Sequence, residues 1–476
     1  MKRTRLFSLL LSIALILSLA ACAGAPAAPA APAAPAASAA PGASPAASAP
    51  APAPVVMETI TMWSNDAHSR PIFEEQIARL NNGYAKDLGI FIEYTVYGTD
   101  YYPVLDVAVM AGEAPDIFKS NKIPQFAQSG FLAAFEDLPG GPEIIAPYAD
   151  MNSVGVGIVD GKTYAVPFKV TSRGLAYNKD MFREMGLTYP ETWDEMREVT
   201  RQITENGNGR IYGYGIGLSY VSYVQNFVDP MAVRSIGHGY FDNGTGVYNF
   251  SALAPFMHHM LDIINDGSIF PGYETIDDDT KRAMFAEGFI GMIPVFSPDV
   301  GVLTTQFPAK FDWGVGPYPV QDKNIQFRKP GGPSNFYVVN SNVFDNGLAD
   351  KATQVVGMVL ADDFLLALFD GEADLISRGD VVAQSTATGV SEQWKQFGDT
   401  SYRFTGFGVP DGLLAIEGHN FKTVFDQILT GIVTPEAGLA DLDERYNAAL
   451  NAANADGTLN IQEYVVPNFA SIVAMP

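Results

Sequence analysis

The main part of this 476-residue chain alternates strand-like and helix-like segments, and this order limits the folds open to it. The segment ETITMWSND, from Glu58, alternates polar and apolar residues as a strand does. SRPIFEEQIARLNNGYAKDLG follows with a Ser-Arg-Pro helix start and apolar residues at helical spacing. IFIEYTVYG reads as a second strand, YYPVLDVAVMAGEAPDIF as a helix and a short third strand. This β-α-β-α-β order predicts an α/β fold, a parallel sheet with helices on its faces.

A second run of segments repeats the same pattern further along the chain. GLAYNKDMFREMG predicts a strand that leads into a short helix. In YPETWDEMREVTRQIT, Thr192 and Glu195 have the spacing of a capping box at a helix start. IYGYGIGLSY, FDWGVGPYPV and SNFYVVN are strand-like, and TIDDDTKRAMFAEGFIGMIPVF predicts a helix followed by a strand. No short repeat of fixed period occurs.

Length, charge and cysteine count limit the number of lobes, the kinds of partner and the kinds of site that this chain can have. About 420 residues follow the N-terminal segments, more than a single hydrophobic core usually organises, so two lobes are expected. The formal net charge of −24 disfavours nucleic acid and anionic membrane surfaces as partners. The single cysteine excludes a disulfide framework and a thiolate metal site.

The first 21 residues have the pattern of an export signal. Three cations, Lys2, Arg3 and Arg5, precede the apolar stretch LFSLLLSIALILSLA and a small-residue site. LAAC, which ends at Cys22, resembles the bacterial lipobox, in which the cysteine becomes the lipid-bearing N-terminus. An ordinary cleaved signal is the alternative. No later segment has the length and apolarity of a membrane span, so we expect an exported, soluble body.

The run between Cys22 and the first strand consists almost entirely of Ala, Pro, Ser and Gly. Such a composition lacks the apolar side chains needed to form a core. Proline-rich linkers favour an extended conformation of about 3.1 Å per residue. We therefore expect a spacer that holds the body away from a membrane.

Enzyme and metal motifs are absent from the sequence: it has no G-x-S-x-G, P-loop or H-E-x-x-H. His258 and His259 are adjacent on a predicted helix and point in different directions, which makes a poor metal pair. NADGTLNIQE, from Asn454, resembles a calcium loop, but Ala452 occupies the first ligand position. We interpret it as a turn and expect neither metal nor cofactor.

Aromatic and polar residues follow several predicted strands, where ligands bind in α/β sheets. Aromatic rings can line a cleft and stack on the apolar face of a sugar, while polar groups bind its hydroxyls. The rings singled out on this ground are Trp63, Tyr97, Tyr101, Tyr102, Tyr220, Tyr223 and Phe296. Each of them has core packing as its alternative.

The order of these segments resembles the extracellular solute-binding proteins of bacterial ABC importers, family 1, the carbohydrate type. The resemblance runs from Glu58 to about Ala449. It rests on ITMWSND, AGEAPDIF, FAQSGFLAAFEDL, VDGKTYAVPFKV, LAYNKDMFREMGLTYPETWDEM, MFAEGFIGMIPVFSPD and WGVGPYP. It implies a type II periplasmic-binding-protein fold: two α/β lobes joined by a hinge, with the ligand cleft between them.

The resemblance also implies which residues contact the ligand. The set is Trp63, Asn65, Asp66, His68, Lys119, Asn121, Lys169, Thr171, Tyr220, Tyr223, Phe296, Asp299, Gly332 and Asn335, with Gly331, Glu417 and His419 as further candidates. Asp66 and Asp299 are the expected acids on opposite lobes, and Phe296 is the expected aromatic wall. Thr171 stands where maltose-binding protein has a carboxylate, so that contact is altered here.

The implied organisation is a signal peptide at 1–21, a tether at 22–56, a first lobe at 57–168 and 323–362, and a second lobe at 169–322 and 363–476. The expected hinges lie near 168–172 and 330–332. The implied function is capture of a sugar by lobe closure and delivery to an ABC permease, by a monomer anchored to the outer face of the membrane through Cys22. Glycerol phosphate, a polyamine or a peptide is the alternative ligand, and a secreted glycoside hydrolase is the rival class.

Overall fold

The structure, a computed structural model, describes residues 56–98, 100–334, 337–398 and 403–475. The predicted signal peptide, the tether, Cys22 and Asn335 lie outside these residues.

The strands follow the predicted order along the chain. They are β1 (Glu58–Ser64), β2 (Ile90–Val96), β3 (Ile117–Lys119), β4 (Leu132–Ala133), β5 (Ile158–Val159), β6 (Lys162–Thr163), β7 (Lys169–Thr171), β8 (Arg173–Asn178), β9 (Tyr212–Tyr214), β10 (Phe241–Asp242), β11 (Val247–Tyr248), β12 (Ile290–Phe296), β13 (Trp313–Gly316), β14 (Lys329–Ser334), β15 (Tyr337–Asn340), β16 (Leu375–Ile376) and β17 (Arg403–Thr405).

Helices cover the sheets. They are α1 (Arg70–Asn82), α2 (Tyr84–Asp87), α3 (Tyr101–Ala111), α4 (Ile123–Gln128), α5 (Gly141–Ile145), α6 (Lys179–Met185), α7 (Trp193–Asn206), α8 (Asp229–Ile236), α9 (Ala254–Asn265), α10 (Asp278–Ala286), α11 (Asp299–Gly301), α12 (Asn342–Asp345), α13 (Ala349–Val359), α14 (Asp362–Asp370), α15 (Gly379–Val382), α16 (Glu392–Gly398), α17 (Phe421–Leu429), α18 (Pro435–Asp456) and α19 (Phe469–Val473). The predicted capping box of Thr192 and Glu195 starts α7.

The first sheet has the strand order β2-β1-β3-β15-β4. β1 runs parallel to β2 and β3, as the first β-α-β-α-β segment predicts. The polar/apolar alternation of β1 buries Ile60, Met62 and Ser64 on one face. Around this sheet packs a core that includes Phe73, Phe135 and Tyr337. We call this part the first lobe.

The second sheet has the strand order β13-β8-β12-β9. Its central strand β12 is apolar and buried along almost its whole length, and pairs antiparallel to β8 and parallel to β9. A core that includes Leu175, Trp193 and Phe227 surrounds this sheet. We call this part the second lobe.

A third, four-stranded sheet joins the two lobes, with the order β16-β7-β14-β17. Only Ser172 separates β7 from β8 of the second sheet, and β14 stands shortly before β15 of the first. The chain therefore passes between the lobes along this sheet, and the expected hinge segments 168–172 and 330–332 lie in it.

Helix α14 packs in the first lobe. Its Phe364, Leu365 and Leu368 are fully buried in the core around the first sheet. The expected lobe boundary at 362/363 falls at the start of this helix. We therefore propose that the chain passes to the second lobe later, along β16.

Among the described residues, no single helix combines the length and apolarity of a membrane span. One pair, α13 with α14, reaches them jointly but is bent by 43°.

Candidate functional site

A buried ion cluster closes the end of the first sheet. Asp66, just beyond β1, pairs with Lys119 at the end of β3 and, at 3.2 Å, with Lys169 of β7. Lys169 also pairs with Asp374 at 2.6 Å, and His68 Nε2 lies 3.0 Å from the same carboxylate. The cluster thus joins the end of the first sheet to β7 and to the start of β16. Both strands belong to the third sheet, which we call the hinge sheet.

These partners change the interpretation of Asp66 as a ligand group. Its side chain is 3% exposed and its oxygens are bound by the two lysines. Burial alone would raise the pKa of Asp66, but Lys119 and Lys169 outweigh burial and hold this pKa below its ordinary value. Four expected contacts, at Asp66, His68, Lys119 and Lys169, therefore bind each other or Asp374. Asn65 also accepts from Lys119, at 2.7 Å.

Asp299 has a corresponding place in the second lobe. Its carboxylate is fully buried, lies 2.7 Å from Arg282, and accepts the backbone N–H of Phe296 at 2.8 Å. Arg282 also binds Asp278, which pairs with the buried Lys281. Asp299 holds the end of β12 in the second lobe in place and is not exposed to a ligand.

Tyr223 belongs to the core of the second lobe. It is fully buried, and its hydroxyl donates to Asp426 at 2.9 Å. The expected contact with ligand is therefore not supported for this ring, and core packing, its alternative, is what the structure shows.

Half-buried aromatic rings lie at or just beyond strand ends in both lobes. In the first lobe Trp63 packs on Tyr97, with ring centroids 4.8 Å apart. In the second lobe Phe296 packs edge-on against Tyr220 at 6.5 Å. Burial and the charge of Asp66, with a smaller effect from Tyr220, raise the pKa of Tyr102 to about 12.

A cavity of about 290 Å³ is lined by Arg173, whose guanidinium lies 5.8 Å from the Phe296 ring centroid. Ser120 and Asn121 line it from the first lobe, Arg173 and Gln225 from the second, and Gly332 from the hinge sheet. A second cavity of about 460 Å³ shares Pro124 and Gly155 with it and extends to the segment 454–464. The two together form a groove between the lobes.

Arg173 and Gln225 are functional candidates that sequence reasoning missed. Arg173 begins β8, and Gln225 lies in a π-helical segment, Val224–Val228, a distortion frequent at functional sites. Nε of Arg173 and Oε1 of Gln225 are buried and have no hydrogen-bond partner within the described chain. A charged side chain at the start of an otherwise apolar strand was the available signal for Arg173.

The remaining candidates divide between the groove and the surface. Asn121 and Gly332 line the cavity, and Thr171 is half-buried in β7. Glu417 and His419 are exposed, and their backbone carbonyls accept from Arg445. The structure thus brings Asn121 and Gly332 to the cavity, with Phe296 and Tyr220 linked to it through Arg173 and Asn226.

The lobes also touch at a point away from the hinge. Gln125 of α4 donates to the carbonyl of Gly412 in the second lobe. Gly408 lies against the backbone of Val154 and Gly155, where an added Cβ would stand 2.2 Å from the Val154 carbonyl oxygen. The absence of a side chain at 408 permits this approach.

The calcium-like segment is a turn, as expected. Asp456 Oδ1 accepts from the N–H of Thr458 at 2.9 Å, and Asn454 Oδ1 from that of Ile461 at 2.9 Å. Gly457 has φ 81° and ends α18. The side-chain oxygens therefore cap local backbone.

Comparison with known proteins identifies the family to which this chain belongs. Residues 66–351 match the family described as bacterial extracellular solute-binding protein. A binding protein of Brucella abortus (strain 2308), so named without an assigned ligand, is 25% identical over 78% of this chain and 93% of its own. The melibiose/raffinose/stachyose-binding protein MelE of Bacillus subtilis is 24% identical over 39% of this chain and 43% of its own.

The fold has close counterparts among solved structures. The maltose/maltodextrin-binding domain MalE from Bdellovibrio bacteriovorus, bound to maltotriose, superposes with a TM-score of 0.65 at 18% identity, over 83% of this chain and all of that one. This likeness in fold supports the two-lobed architecture. The chain belongs to the family of bacterial extracellular solute-binding proteins and has their type II periplasmic fold, two α/β lobes with the ligand cleft between them.

Proposed function

We propose that this protein captures a mono- or oligosaccharide between its lobes and delivers it to an ABC import permease. The observation that carries the proposal is the groove itself, whose polar lining includes Asn121, Arg173 and Gln225, with the Phe296 ring 5.8 Å from the Arg173 guanidinium. Flat rings bind the C–H face of a sugar, and convergent polar groups bind its hydroxyls. Relatives named for sugars support this ligand class.

Closure follows from the division of the groups between lobes. Ligand contacts made by both lobes at once favour the closed arrangement, and a ligand shifts such an equilibrium only by its differential affinity for the two states. The groove, with cavities of about 290 and 460 Å³, is of the size usual for small-molecule sites.

The ion pairs weigh against the alternatives. From the sequence, Lys119 and Lys169 left a phosphate ligand as an alternative. In the structure both side chains are buried and bound to carboxylates. A glycoside hydrolase needs two carboxyl groups beside the scissile bond. Asp66 and Asp299, the expected acids, are buried and held by cations, which supports binding without catalysis.

A panel of sugars tests the proposed function. Each sugar is added to the purified body, residues 57–476, and the melting temperature is measured. A ligand at a hundred times its Kd stabilises the folded state by about 2.7 kcal/mol, so the right sugar raises the melting temperature. New reducing ends after incubation with oligosaccharides would contradict the proposal in favour of hydrolysis.

The aromatic wall gives a prediction within the groove. Phe296→Ala should weaken sugar binding about tenfold, or about 1.4 kcal/mol, because it removes the ring that closes the second-lobe side. Titration calorimetry measures the change. Phe289→Ala, at a ring 41% exposed, is the matched control and should bind as the parent does. Equal affinity in the parent and Phe296→Ala would exclude Phe296 from the site.

The anchor is proposed on the sequence alone. A lipid-bearing Cys22 would hold the body at the outer face of the membrane as a monomer, at the end of the Ala/Pro tether. Cys22→Ser should release the protein from the membrane fraction into the soluble one, as fractionation and immunoblotting would show. Retention of the variant in the membrane fraction would contradict the lipoprotein assignment.

A further inference from the structure

Arg173, a half-buried residue at the start of β8, differs from three buried lysines in having no carboxylate partner among the described residues. Lys119, Lys169 and Lys281 are each ion-paired. Within the described chain, Arg173 is in no ion pair, and its one hydrogen bond runs from Nη2 to Oδ1 of Asn226 at 2.7 Å. A buried cation without a paired anion is costly. Burial accordingly lowers the pKa of Arg173 from its ordinary value.

The surroundings of Arg173 hold the side chain without neutralising it. Its guanidinium lies 5.8 Å from the centroid of the Phe296 ring, a cation–π arrangement. Asn226, its hydrogen-bond partner, in turn donates to the Tyr220 hydroxyl at 2.8 Å. Asp229 acts on Arg173 electrostatically, but from beyond ion-pair distance. The guanidinium is thus positioned by an aromatic ring and an amide.

The open side of Arg173 faces the cavity. A Cβ added at Gly332 would stand 3.7 Å from Nη1 and 3.9 Å from Nη2, so the guanidinium lies next to the backbone of β14, and both residues line the cavity. Its Nε has no hydrogen-bond partner, nor has Oε1 of Gln225, which lines the same cavity. Because Nη2 already donates to Asn226, the guanidinium offers its remaining N–H groups. Charged N–H donors beside an amide suit an oxyanion with neighbouring hydroxyls.

We propose that Arg173 and Gln225 form a subsite for the carboxylate of an acidic sugar, a uronate. This inference rests on the proposed function and names the class of sugar. Arg173 is the one cation among the described residues that line the cavity. A single guanidinium matches the single charge of a carboxylate, whereas a phosphate dianion would be left partly uncompensated. The aromatic rings then take the C–H face of the same sugar.

Calorimetry with matched ligands tests the subsite. Galacturonate, galactose and galactose 1-phosphate are titrated into the parent and into Arg173→Met, which keeps an apolar stem and removes the charge. Galacturonate should bind the parent at least tenfold tighter than galactose does, and Arg173→Met should abolish this preference. Arg173→Lys should recover only part of it, because the planar fork is lost. The ligand-free Arg173→Met variant should melt no lower than the parent.

Each other result contradicts either the uronate subsite or the proposed function. Galactose binding as tightly as galacturonate would overturn the inference and leave the proposed function standing. Tighter binding of galactose 1-phosphate would replace the carboxylate by a phosphate and overturn it as well. An equal loss of both sugars in Arg173→Met would make the residue structural. If no sugar of the neutral panel or of this set binds, the proposed function itself fails.

Discussion

Lys169→Met is expected to lower the free energy of unfolding by about 3–5 kcal/mol, the usual cost of removing one partner from a buried ion pair. Lys169 is 1% exposed and bound to both Asp66 and Asp374. Its removal leaves two buried carboxylates with only Lys119 and the partly exposed His68 to compensate them. Urea unfolding followed by circular dichroism measures the change.

The control is a lysine in an exposed ion pair. Lys162 pairs with Asp137 at 2.7 Å, and both side chains are about half exposed. Lys162→Met should change the free energy of unfolding by less than about 1 kcal/mol. Similar effects of the two substitutions would contradict the structural role of the ion cluster.

The same cluster predicts a dependence of stability on acid. Because the pKa of Asp66 is held below its ordinary value, its contribution to stability is complete above the unfolded pKa of about 3.9. This contribution decreases as the pH falls below that value toward the folded pKa. The parent should therefore lose stability more steeply than Lys169→Met between pH 5 and pH 3.

Gly408→Val is expected to weaken ligand binding by up to about a hundredfold, or about 2.8 kcal/mol. A Cβ at 408 would stand 2.2 Å from the Val154 carbonyl oxygen and 2.7 Å from the Gly155 Cα. Overpacking of this kind costs about 1–3 kcal/mol. Under the proposed lobe closure, this overpacking acts in the closed arrangement that binds ligand and penalises it.

Calorimetric titration of the variant measures the loss. Gly379→Ala is the matched control, because an added Cβ there meets nothing within 4 Å, and it should bind as the parent does. The ligand-free melting temperature of Gly408→Val should remain close to that of the parent. Unchanged affinity in Gly408→Val would show that the contact of Val154 with Gly408 is not part of the ligand-bound state.

Local sequence patterns were sufficient to predict much of the fold. The alternation in ETITMWSND appears as the alternate burial of β1, and the Thr192 capping box as the start of α7. These features depend on residues that are close together in the sequence, so the sequence alone predicts them. The hinge segments near 168–172 and 330–332, which the family resemblance implies, stay a prediction.

The site was harder to predict because burial depends on partners distant in sequence. Asp66 lies beyond a strand end, where a ligand group was expected, but Lys169 is 103 residues away in the chain and binds it. Asp299 is likewise bound by a cation, Arg282, and is not free to contact a ligand. Arg173 shows the converse: its missing carboxylate partner becomes visible only when the surroundings are assembled.

Small-angle X-ray scattering, with and without the stabilising sugar, tests the central claim most directly. It reports the dimensions of the body in solution, and therefore whether the ligand brings the two lobes together. We predict that saturating sugar lowers the radius of gyration of the parent, and that Gly408→Val shows a smaller decrease at the same ligand concentration. A sugar that binds the parent in the groove and leaves its radius of gyration unchanged would contradict capture by lobe closure.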